Sequence, residues 1–81
     1  MRVKIRLFAS LREAASRSES RLDLSEGATA EDAWQALVGQ LPALAARRPS
    51  LAVAVNRIYA SFETALQDDD EVVFIPPVSG G

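Results

Sequence analysis

Gly80 and Gly81 close the chain, directly behind Pro76-Pro77-Val78-Ser79. A glycine has no Cβ, so a backbone that ends on two of them can pass a narrow channel and take φ/ψ values closed to other residues. The terminal carbonyl is also open to a nucleophile or to an activating phosphoanhydride. These residues predict a reactive carboxyl group on Gly81, with Gly80 giving access to it. A frayed end is the plain alternative, since chain ends are often small, polar and disordered. The placement favours function. The apolar run Val72-Val73-Phe74-Ile75 precedes the glycines and reads as a strand buried on both sides. Pro76 and Pro77 cannot donate ladder hydrogen bonds and should end sheet pairing. Residues 77–81 then form a tail of roughly 16 Å when extended at ~3.3 Å per residue.

The rest of the inventory argues against a self-contained enzyme. The 81 residues include no Cys and no His. That removes the Cys nucleophile, the His general base, the disulfide staple and the usual zinc sites. Ser, Lys, Asp and Glu remain, without a nucleophile motif such as G-x-S-x-G. Whatever chemistry the chain serves is expected to be completed by partners. Asp68-Asp69-Asp70-Glu71 is an acidic run that could hold a metal. No further carboxylate follows at ligand spacing, so a tight solvated turn is the preferred reading and no metal site is expected.

Net charge is -2, from nine Lys and Arg against eleven Asp and Glu. The basic residues are dispersed, so no nucleic-acid footprint is expected. The start alternates charged and apolar residues, unlike a signal peptide, and no apolar stretch approaches the ~20 residues of a membrane span. A cytoplasmic protein without a membrane anchor is the expectation. With 48% hydrophobic and 25% charged residues, the chain has the make-up of one small globular domain.

The elements that position the terminus follow from periodicity. Val3, Ile5 and Leu7 alternate with Arg2, Lys4 and Arg6, which predicts a half-buried first strand. Ser10-Leu11-Arg12-Glu13 matches a capping box and predicts a short helix from Ser10 to about Ala15 or Ser16. Arg21 to Leu24 alternates again and should pair with the first strand as a hairpin. Thr29 is a good N-cap, with Glu31 and Asp32 in the first turn. Ala30, Ala33, Trp34, Leu37, Val38 and Leu41 form one helical stripe, and Pro42 ends it. Trp34 at this spacing reads as core. Residues 43–48 add a helical turn, with Arg47-Arg48 in a solvated loop. Leu51 to Val55 is a third strand, Asn56-Arg57 a turn, Ile58 to Phe62 a short extended piece with Tyr59 partly exposed, and Leu66 packs inward. This order predicts an α+β, β-grasp (ubiquitin-like) fold: a mixed sheet, one main helix on one face, and the last strand central and parallel to the first. The expected division is a domain over residues 1–76 and a tail over 77–81.

The tail Phe74-Ile75-Pro76-Pro77-Val78-Ser79-Gly80-Gly81 resembles that of the small, sulfur-carrier subunit of molybdopterin synthase and its ubiquitin-like relatives. The start Leu7-Phe8-Ala9-Ser10-Leu11-Arg12-Glu13, the middle Ala54-Val55-Asn56 with Ser61-Phe62, and Asp70-Glu71-Val72 are similar too. The Pro-Pro-Val-x-Gly-Gly end is the specific part. Asp69, Ile75 and Ala65 depart from the family, which often has Gly, an aromatic and Pro there. The resemblance implies that a ubiquitin-activating-type adenylyltransferase, using ATP with Mg, adenylates Gly81. A sulfur donor then makes the thiocarboxylate. The tail, with Pro76, Pro77, Val78 and Ser79 as partner-binding residues, enters the large synthase subunit, where sulfur passes to cyclic pyranopterin monophosphate. It implies a heterotetramer, and a chain that binds no cofactor itself and is a non-catalytic donor subunit of a sulfurtransferase complex. Phe8, Tyr59 and Ile75 are expected to form an exposed apolar patch near the tail for docking partners. The thiamin-pathway sulfur carrier, a ubiquitin-like protein modifier and an interaction domain with an inert tail remain alternatives.

Overall fold

The computed structural model describes residues 1–77. Its elements in order are β1 (Arg2–Leu7), α1 (Ala9–Ala15), β2 (Glu19–Asp23), α2 (Ala30–Gln40), a 3-10 helix (Pro42–Ser50), β3 (Ala52–Val55), β4 (Ile58–Ala60) and β5 (Glu71–Ile75). The five strands form one sheet in the order β2-β1-β5-β3-β4. β1 and β5 run parallel, with Leu7 opposite Phe74, and the other pairs are antiparallel. This is the expected β-grasp, with the last strand at the centre.

Alternation in β1 and β5 decides which face is covered. Val3, Ile5, Leu7, Val72 and Phe74 are buried against α2, whose Ala30, Ala33, Trp34 and Leu37 are buried in return. Phe74 sits at the middle of this layer. The Trp34 ring meets it edge-on at 5.0 Å between centroids, and the Phe62 ring stacks at 6.0 Å. Offset and edge arrangements of this kind add to the burial gain. Leu11, Leu44 and Leu66 close the core from α1, the 3-10 helix and the loop before β5.

α2 starts where Thr29 and Asp32 cap each other. The Asp32 amide donates to Thr29 Oγ1 at 3.2 Å, and the Thr29 amide to Asp32 Oδ2 at 2.9 Å. The next two free amides, of Ala30 and Glu31, donate to the carbonyls of Thr64 and Phe62. All of the first-turn donors thus find acceptors.

Four expectations need correction. α1 begins at Ala9, with Phe8 at the N-cap and no side-chain cap bond, so Ser10 is inside the helix and the capping box does not form. Burial of Leu11 and Ala15 sets the helix phase, and Ala9 makes the turn out of β1 with a φ of 49°. β2 runs from Glu19 to Asp23 rather than from Arg21 to Leu24, although it pairs antiparallel with β1 as expected. The strand over 72–75 is covered on one face only: Val72 and Phe74 are buried, whereas Val73 and Ile75 are half-buried. One helix layer cannot cover both faces of a sheet. Arg48 is not a solvated loop residue, as described below. Among the described residues no helix is long and apolar enough to cross a membrane, and no carboxylate cluster has metal-site geometry.

Candidate functional site

β5 is the central strand of the five, hydrogen-bonded along both edges, to β1 and to β3. It ends at Ile75, where Pro76 and Pro77 withdraw two successive donors. The parallel register places Phe8, the residue after Leu7, beside Ile75. On the other side Ala52 faces Ile75. The chain therefore leaves the sheet between the start of α1 and the end of the 3-10 helix. A cleft of about 160 Å³ lies there, lined by Ser10, Ala46, Arg47, Ser50, Leu51, Pro76 and Pro77. The predicted reactive and channel residues Gly81, Gly80, Ser79 and Val78 lie outside the described residues.

The second face of the sheet has no helix on it. Its residues are those that alternate with the core: Glu19, Arg21 and Asp23 from β2, Arg2, Lys4 and Arg6 from β1, Glu71, Val73 and Ile75 from β5, Ala52 and Ala54 from β3, and Tyr59 from β4. Register aligns them in rows. Tyr59, Ala54, Val73 and Arg6 form one row across four strands. Ile75 and Ala52, with Phe8 beside them, form the next row toward the tail. Phe8 is 46% exposed and Tyr59 is 78% exposed. Register thus puts Phe8, Tyr59 and the half-buried Ile75 on one face. Val73, expected inside a strand buried on both sides, and Ala54, itself only 7% exposed, fill the space between Tyr59 and Ile75. Residues 72–75 are apolar throughout, so no local signal marks Val73 as outward.

Charges frame this apolar centre. Arg6 lies 5.7 Å from the Phe8 ring centroid and 3.7 Å from the Glu71 carboxylate. Arg57 reaches the same carboxylate at 3.9 Å. Farther from the tail, Arg2 Nε donates to Asp23 at 3.0 Å, and this bond holds the Asp23 carboxyl below its ordinary value.

The acidic run is a turn. The Asp68 carboxylate accepts from the Arg2 amide at 2.7 Å. Asp70 accepts from the Gln67 amide and from Asn56 Nδ2, both at 2.8 Å. Asp69 takes a left-handed φ of 68°. Two of the three aspartates thus satisfy backbone amides, which is the structural task Asp suits in turns.

Arg48 performs a task that no local pattern announces. Its Nε and Nη2 both donate to Glu31 Oε1, at 2.8 and 2.6 Å. Its guanidinium lies over the Phe62 ring, 3.5 Å from the centroid. Phe62 stacks in turn on Phe74. The Arg48 bond, with a second from Gln35, holds the Glu31 carboxyl below its ordinary value. This column ties the 3-10 helix to α2 and to β5, the strand that carries the tail.

The family model described as ThiS family matches residues 5–81. The chain belongs to the ThiS family. The molybdopterin synthase sulfur carrier subunit of Chlamydomonas reinhardtii is 37% identical over 83 residues, covering 100% of both chains. The small archaeal modifier protein 1 of Haloferax volcanii is 38% identical, covering 94% of this chain and 97% of its own. A crystal structure of SAMP1 from Haloferax volcanii superposes with a TM-score of 0.92 at 36% identity, covering 100% of both chains. The family resemblance drawn from the tail and the Leu7–Glu13 segment is borne out.

Proposed function

We propose that this ThiS-family chain is a sulfur carrier in molybdenum cofactor biosynthesis. The observation that carries the reading is the full-length match to a molybdopterin synthase sulfur carrier subunit, which runs through the whole of both chains and so includes the Gly-Gly end. The central strand that delivers this end supports it.

In this reading the Gly81 carboxylate attacks the α-phosphorus of ATP on a separate adenylyltransferase, and pyrophosphate leaves. A carboxylate is a poor acyl donor, and the acyl-adenylate is a good one. Hydrosulfide released by a sulfur donor then bonds to the acyl carbon, AMP leaves with the electron pair of the broken carbon–oxygen bond, and a thiocarboxylate remains after loss of the proton. ATP and Mg belong to the activating partner. In the large subunit of molybdopterin synthase the sulfur passes to cyclic pyranopterin monophosphate. This chain contributes no acid or base. It contributes placement: Pro76 and Pro77 stiffen the base of the tail, which lowers the ordering cost of insertion. The adjacent rows that hold Phe8 and Ile75, and Val73 and Tyr59, offer the docking surface.

A second reading, a protein modifier joined to lysines through the same carboxyl group, draws on the similarity to the archaeal modifier protein. Intact mass after incubation with ATP, activating enzyme and sulfur donor separates the two. A gain of one sulfur in place of one oxygen, localised to Gly81, is the expected result. An unchanged chain mass, with lysine conjugates on denaturing gels that vanish on deleting Gly81, would replace the carrier reading by the modifier one.

A further inference from the structure

An activated carboxyl group acylates any amine it meets. Its own chain carries amines too, both in cis and on a second copy. Of the nine basic residues here, eight are Arg and one, Lys4, is Lys. A guanidinium stays protonated and is no acyl acceptor, whereas a lysine amine is one whenever it loses its proton. The cations most open to solvent are all arginines: the side chains of Arg57, Arg2 and Arg21 are 87%, 62% and 61% exposed. Lys4 is 36% exposed, in the middle of β1 between β2 and β5, with its Nζ 3.9 Å from Glu19. The one remaining amine is the α-amine of Met1. It donates to the Leu24 carbonyl at 2.8 Å, with the Glu26 carboxylate 4.0 Å away. Here a backbone acceptor engages it.

We propose that this distribution makes the chain an acyl donor that does not accept its own acyl group: activation of Gly81 does not lead to copies joined to one another. The inference rests on the reading that Gly81 is activated. The step it suppresses is explicit. An amine nitrogen would form a bond to the Gly81 carbonyl carbon, the carbon–oxygen bond to AMP would break, AMP would leave with the electron pair, and the nitrogen would lose a proton. With amines scarce and engaged, the acyl group waits for sulfur or for a partner.

The experiment incubates the full chain with ATP, Mg and the activating enzyme, without sulfur donor, and reads intact mass. Hydroxylamine is added to a parallel sample, where a hydroxamate at Gly81 reports activation. The wild-type chain is expected to form the hydroxamate but no dimer of two chains less one water. Arg57→Lys and Arg17→Lys, at exposed positions, are expected to form such dimers through the new amine. Wild-type dimers joined at Lys4 or Met1, as abundant as those of the variants, would overturn the proposal. So would a hydroxamate without dimers in both variants, because amine scarcity would then not be the cause. Absence of the hydroxamate would overturn the activation reading, and the inference with it. An arm independent of activation treats the folded chain with an amine-reactive acetyl ester. Lys4 and Met1 should react several-fold more slowly than in urea, and equal rates would overturn the shielding.

Discussion

Replacing Arg48 by Met tests the column that joins the 3-10 helix to α2 and β5. Met keeps much of the apolar stem over Phe62 and deletes the guanidinium. Two terms are lost. The ion pair with Glu31 is short and charge-assisted, but both side chains are about one-third exposed, at 33% and 35%. Solvent screening therefore limits it to about 0.5–1 kcal/mol. The guanidinium over Phe62 at 3.5 Å contributes about 0.5–1 kcal/mol more. The expected loss is about 1–2 kcal/mol, which for a domain of this size lowers Tm by about 6–12 °C. Differential scanning calorimetry at neutral pH reads it directly. The pH dependence separates the terms. Glu31 has its carboxyl pKa lowered in the folded state, first by Arg48 and then by Gln35, from an ordinary 4.5. Its contribution is present in full above pH 4.5 and is lost as pH falls through the lowered value. The gap between wild type and Arg48→Met should accordingly narrow below pH 4.5 toward the aromatic term alone. Arg48→Lys should recover part of the charge but not the flat stacking, and fall between the two. A Tm within 2 °C of wild type, or a gap that does not change with pH, would refute the account.

Phe74→Ala removes the ring on which Trp34 and Phe62 both pack; a loss of about 3–5 kcal/mol is expected, a large share of the total for a domain this small, and urea unfolding followed by Trp34 fluorescence measures it. Asp69→Val should cost about 1–2 kcal/mol, because a β-branched residue must take the left-handed φ of 68°; an unchanged urea midpoint would contradict this. Phe8→Ser and Tyr59→Ser, at exposed positions, should leave Tm within a few degrees of wild type yet weaken binding to the activating enzyme and the large subunit. Calorimetric titration showing undiminished affinity for both partners would remove the docking role from that face.

The strands and the main helix were legible because they repeat. Val3, Ile5 and Leu7 alternate, and the stripe from Ala30 to Leu41 keeps helical spacing, so each element announces its buried side. The capping pair Thr29 and Asp32 and the stop at Pro42 are local too. Where the sequence reading failed, the deciding contact came from elsewhere. Ser10 and Glu13 fit a capping box, but burial of Leu11 and Ala15 set the phase of α1 one residue earlier. Val73 lies in an unbroken apolar run, and only the presence of a single helix layer shows that it faces outward. Arg48 stands in a basic pair beside a proline, which reads as a loop; its partners Glu31 and Phe62 are 17 and 14 positions away in sequence.

By itself the sequence determined the β-grasp order, the family, and a Gly-Gly end behind two prolines, because these depend on residue type and spacing along the chain. Tertiary structure alone decided that Val73 and Ala54 join the face expected for Phe8, Tyr59 and Ile75, and that Arg48 braces the strand carrying the tail. It also decided that Lys4 and the Met1 amine are both engaged. These are relations between segments, fixed by strand register and by which face the one helix covers, and no local pattern encodes them.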